Sequence, residues 1–257
     1  MEILPDLSIC VIARQGRENI TDFLRWIFED SYVDMQVIVM VADSALAEEL
    51  GREFVEALVC EEDLSLPDAV IYNRALQFAT GRYLALISEA VIARPLSFER
   101  LIDFMEDNPD IGLVGPKLLL PSGEVFNSVR LFPSFVSFLF LDCLSTELPL
   151  VNRLRRRHFL TDWDRESSIE VQWLSGLFLL FRREVMEEIG TLDEAFAKKY
   201  GGLDYCWRAR RAGWHNHFLH DAEVVLVDMP EQDSAMDWHL LLDGFRFFVK
   251  KWRRVWA

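Results

Sequence analysis

The sequence predicts an α/β protein in which a mostly parallel central sheet is flanked by helices. Three observations predict it. Short apolar, β-branched runs of strand length recur through the first half of the chain. Each is followed by a longer segment whose apolar residues return at helical spacing. Gly, Pro and Asn punctuate the joints between them. Strands that alternate with helices need crossover connections, so they pair in parallel and bury both faces of the sheet.

The elements follow in order. Leu7-Ser8-Ile9-Cys10-Val11-Ile12-Ala13 suits a fully buried strand, and residues 19–27 continue as a helix. Val37-Ile38-Val39-Met40-Val41 is the second strand. Residues 45–57, rich in Ala, Leu and Glu, read as the second helix, with Phe54 and Leu58 extending one face. After Leu66-Pro67-Asp68 a third helix spans residues 69–79 and stops at Gly81, which leads into the strand Tyr83-Leu84-Ala85-Leu86-Ile87. Residues 96–105 form the next helix, Asn108-Pro109-Asp110 ends it, and residues 111–118 return to strand.

With 257 residues, 51% of them hydrophobic, the chain can bury a large core. Asp+Glu 42 against Lys+Arg 27 gives a net charge of −15, which excludes general nucleic-acid binding because phosphate contacts need a basic face. Cys10, Cys60, Cys143 and Cys206 are widely spaced, without Cys-x-x-Cys spacing and without a signal peptide ahead of them. That usage predicts reduced thiols in a cytoplasmic protein, working in solution or at the inner face of the membrane. The longest apolar run, residues 132–141, is interrupted by serines and stopped by Asp142. It falls short of the roughly 18 to 20 apolar residues of a membrane-spanning helix.

The second half carries a more specific pattern. It reads Trp173-Leu174-Ser175-Gly176, an apolar strand, Arg182-Arg183-Glu184, Gly190, Leu192-Asp193-Glu194-Ala195-Phe196, Tyr200-Gly201-Gly202-Leu203-Asp204, Arg208 and Gly213-Trp214. Upstream, Ser88-Glu89-Ala90 after a strand, Asn108-Pro109-Asp110-Ile111-Gly112, Gly115-Pro116-Lys117 and Ser122-Gly123-Glu124 stand in matching order. This series, covering roughly residues 7–225, resembles the family 2 glycosyltransferases of the GT-A fold, especially their rhamnosyltransferase-like branch.

The resemblance implies a GT-A domain over residues 1–230, with a nucleotide-binding half (1–118), an acceptor half (119–230) and a C-terminal helical appendix (231–257). It implies a nucleotide-diphospho-sugar as ligand and, in the parent family, inverting transfer to an acceptor hydroxyl. Mg2+ or Mn2+ would stabilise the departing pyrophosphate, held by an Asp-x-Asp type element after the strand that ends at Ile87. Here that element is Ser88-Glu89-Ala90, so the usual Asp ligand is replaced by Ala90. The acidic pair that supplies the base falls on Gly201-Gly202, and glycine cannot accept a proton. The first strand runs into Ala13-Arg14-Gln15 rather than Thr-Tyr-Asn, Val41 replaces the Asp expected after the second strand, and no His follows the last strand near residues 224–228. The donor-binding positions implied by the resemblance are Ala13, Arg14, Asp43, Asn73, Arg74, Ser88, Glu89 and Gly176.

Each candidate side chain also has an ordinary structural reading. Glu89 reads as a cation ligand beside the lost Asp or as a solvated strand-end carboxylate. Asp43 reads as a replacement nucleotide contact or as the cap of the next helix. Asp204, the candidate catalytic residue, reads as a substitute base or as the N-cap of a helix over residues 205–212. Arg14 reads as a phosphate partner in place of a metal or as one half of a surface ion pair. His215, His217 and His220 read as a zinc cluster or as solvated edge histidines. The basic, aromatic C-terminus, with Phe247, Phe248, Lys250, Lys251 and Trp252, reads as a peripheral membrane contact or as a helix packed on the core. Arg153, Arg155, Arg156 and Arg157 form a concentrated basic patch on an otherwise acidic chain.

Three functions fit these residues. The first is a degenerate, non-catalytic relative of the glycosyltransferases that acts through a protein partner or a homo-oligomer. The second is an active, metal-independent enzyme of polysaccharide or cell-surface glycan synthesis that uses Arg14, Glu89 or Asp204 in substituted roles. The third is a subunit that supports an active glycosyltransferase through the surface of residues 132–160.

Overall fold

A computed structural model describes residues 4–14, 16–30, 32–134, 149–196, 200–228 and 238–253. The first four strands are β1 (Leu7–Ile12), β2 (Met35–Val41), β3 (Ala57–Glu61) and β4 (Tyr83–Ser88). They alternate with α1 (Arg17–Asp30), α2 (Ser44–Glu53) and α3 (Asp68–Leu76). Next come β5 (Val91–Ala93), α4 (Ser97–Asp107), β6 (Ile111–Leu119), β7 (Val129–Arg130) and α5 (Pro149–His158). The last part contains β8 (Ile169–Val171), β9 (Trp173–Leu174), β10 (Phe178–Arg182), α6 (Arg183–Ile189), α7 (Tyr200–Ala212), β11 (His215–Leu226) and α8 (Trp238–Arg253).

The main sheet runs β3-β2-β1-β4-β10-β6-β11-β5, with β8 also paired to β11. β3, β2, β1, β4, β6 and β11 point one way, and β10, β5 and β8 run against them. The chain builds outward from β1 through β2 to β3 and then crosses back to place β4 on the other side of β1. That reversal opens a crevice at the C-terminal ends of β1 and β4, the place where open α/β sheets bind ligands. Ile12 is in register with Ser88 at its rim.

Side-chain alternation along β1 divides the core in two. Leu7, Ile9 and Val11 pack with Phe23 and Leu24 of α1, Leu50 of α2 and Leu101 of α4. Cys10 and Ile12 face Ile71 and Ala75 of α3, Val185 of α6, Leu203 and Cys206 of α7 and Phe247 of α8. Gly81 marks a close backbone approach: a Cβ there would sit 2.5 Å from Ser8 N.

Two local expectations are corrected, and one short strand is added. The second helix stops at Glu53, and residues 57–61 are the edge strand β3 rather than its last turn. β3 carries the short apolar run Ala57-Leu58-Val59-Cys60, which is only partly buried at the sheet edge and continues the apolar face of the preceding helix in sequence. β5 is too short to stand out by periodicity. The helix expected over residues 205–212 already includes Tyr200, which places Asp204 inside it instead of at its cap.

The C-terminal helix packs on the core. Phe247 is fully buried and its ring meets Tyr200 and Trp207 at centroid distances of 6.0 Å. Leu242, Phe245 and Val249 of α8 remain exposed. Residues 254–257, part of the expected membrane segment, and most of the 132–141 run lie outside the described residues. Among the described residues no helix is long and apolar enough to cross a membrane.

Candidate functional site

The crevice between β1 and β4 gathers part of the expected site. Ala13 is buried and its N–H donates to Met40 O of β2. The next residue, Arg14, donates its backbone N–H to the Glu89 carboxylate at the end of β4. Glu89 is only 3% exposed, so the solvated reading of this carboxylate is corrected: the β1–β4 register draws it inward. Ser88 N–H donates to Leu177 O, which brings Gly176 to the same rim. Ser88 Oγ accepts from Ala90 N–H at 3.2 Å.

Gly176 in turn faces α7. A Cβ built on Gly202 would lie 4.0 Å from Gly176 Cα, with no closer neighbour among the described residues, so the position assigned by resemblance to the base faces Gly176 without a functional group. Ala90, at the position that the resemblance assigns to a metal ligand, is buried, and its carbonyl accepts from Val227 N–H. This contact brings Asp228 beside Glu89. Both line a cavity of about 260 Å³ together with Asn19, Asp22, Phe23, Ile92 and Val227. Asp22 and Asp228 were not selected from the sequence; a strand-end position for Asp228 and a face of α1 turned to the end of β1 for Asp22 were the available signals.

The remaining candidates hold the scaffold together. The Arg14 guanidinium pairs with Asp68 at 2.6 Å and donates to the carbonyls of Leu64 and Leu66, as the ion-pair reading expects. Asp43 Oδ1 accepts from Leu46 N–H at 2.9 Å and caps α2. Asn73, buried in α3, donates to Leu192 O and the Glu194 carboxylate and accepts from Leu192 N–H, pinning the loop before α7. Arg74 pairs with Glu62, and this hydrogen bond holds the Glu62 carboxyl below its usual range.

Asp204 is fully buried in α7, where Arg208 Nε and Lys250 Nζ each approach to 2.7 Å. Arg208 also donates to the carbonyls of Ile189 and Thr191. The expected capping role of Asp204 is therefore replaced by a buried ion pair that joins α7 to α8.

The histidines on β11 diverge. His215 approaches the Glu170 carboxylate at 3.3 Å, His217 packs on the Phe104 ring, and His220 shares a hydrogen bond with Ser168 Oγ. His217 is paired on both sides, to β6 and β8, so it is not an edge residue, whereas His215 is paired only to β6 and His220 falls in the break of the β6 register. Among the described residues no three His, Cys, Asp or Glu side chains are grouped to hold a metal ion. A Mg2+ or Mn2+ ion here would draw on the Glu89 carboxylate and on the phosphates of a bound ligand, which complete such sites where a protein supplies one or two carboxylates.

The comparison with known families decides the assignment. The family model described as glycosyltransferase-like family 2 matches residues 5–236. The chain belongs to glycosyltransferase family 2. This family 2 member is also 30% identical over 135 residues to the N-acetylglucosaminyl-diphospho-decaprenol L-rhamnosyltransferase of Mycobacterium tuberculosis, in strains H37Rv and CDC 1551. That match covers 51% of this chain and 42% of the relative, so the two proteins share a part and not their whole length. In solved structures the fold is similar to GalNAc-T7 with UDP, GalNAc and Mn2+, with TM-score 0.68 at 12% identity over 95% of this chain and 48% of that one. It is also similar to the mannosyltransferase PcManGT from Pyrobaculum calidifontis in complex with GDP-Man and Mn2+, with TM-score 0.56 at 15% identity over 90% and 59% of the two chains. Both likenesses establish the GT-A fold.

Proposed function

We propose that this family 2 domain is a non-catalytic member of its family: a glycosyltransferase frame that retains a crevice for a sugar nucleotide without the groups that drive transfer, and that works with a protein partner. The observation that carries the reading is Gly202, which faces Gly176 where the family resemblance places the base. Removal of a positioned base forfeits about 10²- to 10⁴-fold in rate. Three further features support it. Ala90 stands at the metal position, Glu89 is bonded to the Arg14 backbone, and Asp204 is sealed between Arg208 and Lys250.

The ligand class is a nucleoside diphosphate or its sugar conjugate. It rests on the switch-point crevice between β1 and β4 and on the UDP and GDP-Man named for the two structural neighbours. The proposed division of the chain, a GT-A domain over residues 1–230 and an appendix from 231, follows the same reading.

The test is calorimetric titration with UDP, GDP and dTDP and their sugar conjugates, with and without Mn2+, followed by a donor-hydrolysis and transfer assay. Weak binding that does not depend on the metal, with no turnover, is the expected result, and no binding across the panel would remove the nucleotide from the proposal. Metal-dependent micromolar binding with turnover would overturn the proposal in favour of an active enzyme.

A further inference from the structure

We propose that the exposed face of α5 docks this protein onto an anionic lipid surface. α5 is amphipathic in an unusual sense. Val151 and His158 are buried and Leu154 half-buried on one side, while Asn152, Arg153, Arg156 and Arg157 are exposed on the other. The i, i+3 and i+4 spacing places the three arginines side by side on that outer face. Among the described residues none of the three has an acidic partner.

That arrangement runs against the rest of the molecule. Arg14, Arg17, Arg25, Arg74, Arg94 and Arg210 are each paired with a carboxylate. With 42 acidic against 27 basic side chains, partners are in excess, yet α5 holds its cations together at the cost of their mutual repulsion. The helix C-terminus favours basic residues in its last turn, but the effect fades beyond that turn and does not require three of them facing solvent.

The helix also lies where a surface would matter. Leu131 N–H donates to His158 O, the His158 ring lies 6.3 Å from Trp173, and Arg130 stacks over the same indole at 4.8 Å. Trp173 begins the strand that leads to Ser175, tied to Ser128 O, and on to Gly176. α5 therefore borders the Gly176–Gly202 side of the crevice.

A bilayer suits this face better than a soluble phosphate. A single phosphate is held by donors that converge in a concavity, whereas these arginines stand in a row on the convex outer face of a helix. A row of cations on a convex face matches a plane of anions. The docking is independent of any catalytic role, and its test does not depend on nucleotide binding.

The experiment is co-sedimentation of the full chain with phosphatidylcholine vesicles prepared with and without phosphatidylglycerol, at low and high salt. The wild type should sediment with the anionic vesicles only and be released by salt. R153Q/R156Q/R157Q should lower the vesicle partition coefficient on the order of a hundredfold, from the contribution of a basic residue near an anionic surface. R153K/R156K/R157K should retain it, because the bilayer reads charge rather than guanidinium geometry. All three side chains are exposed, and circular dichroism of each variant confirms the fold. Equal binding to neutral vesicles, or undiminished binding of the glutamine variant, would overturn the proposal. So would loss of binding in the lysine variant. Displacement by inorganic pyrophosphate at constant ionic strength would assign the arginines to a soluble phosphate ligand instead.

Discussion

Lys250 of the C-terminal helix places its Nζ 2.7 Å from Asp204 Oδ1, inside the helix that resemblance marks as catalytic. The same ammonium reaches Asp193 at 2.6 Å. Burial resists ionisation of Asp193, but the bonds from Lys250 and Ala195 N–H outweigh it and hold this carboxyl below its usual range. Asp204 thus serves as a clamp between α7 and α8. Asp204→Ala should destabilise the fold by about 3–5 kcal/mol, the cost of leaving the buried Arg208 without its carboxylate while Lys250 keeps Asp193. Urea unfolding measures it, and a loss below about 1 kcal/mol would show that the pair is not structural.

Gly201 and Gly202 stand in the first turn of α7, and a Cβ at Gly202 would meet Gly176 Cα at an ordinary 4.0 Å. Gly202→Ala should therefore raise stability by about 0.5–1 kcal/mol, through the backbone freedom that glycine loses on folding. Thermal unfolding of the two proteins decides it. Destabilisation would mean that the space beside Gly176 is filled in solution.

His217 links stability to pH. Burial lowers its pKa in the folded protein, with the Phe218 carbonyl and Glu170 acting in the opposite direction and His215 reinforcing the fall. A histidine whose folded pKa is depressed contributes stability that is complete above its unfolded value of about 6.5 and is lost as pH falls through it towards the folded pKa. His217→Gln should flatten the decline of Tm between about pH 7 and pH 5 relative to wild type. Identical slopes would remove His217 as the source.

The thiols should divide by accessibility. Burial pushes Cys10 and Cys206 up to about 12, so both should resist alkylation of the native protein at neutral pH. Cys60, half-buried on the edge strand and raised less by burial, should react ahead of them. Mass spectrometry of peptides after iodoacetamide treatment reads the order. Labelling of Cys206 in the folded protein would show that α7 opens.

The alternation of strands and helices was legible because it is written in local periodicity: Val37 to Val41 or Tyr83 to Ile87 announce themselves whatever surrounds them. The order of motifs likewise fixed the family and located the crevice residues Ala13, Arg14, Ser88, Glu89 and Gly176. The capping of α2 by Asp43 was legible too, since its partner Leu46 is three residues away. What sequence alone left open were the choices made by distant partners. Arg14 meets an Asp68 that is 54 residues on, and Asn73 meets a Leu192 that is 119 residues on. Asp204 changes from a helix cap to a buried ion-pair partner only because α8 folds back with Lys250. Side-chain spacing along one segment sets which face a residue occupies; the charge or carbonyl waiting at that face is delivered by the packing of other segments, and that was decided by the tertiary structure.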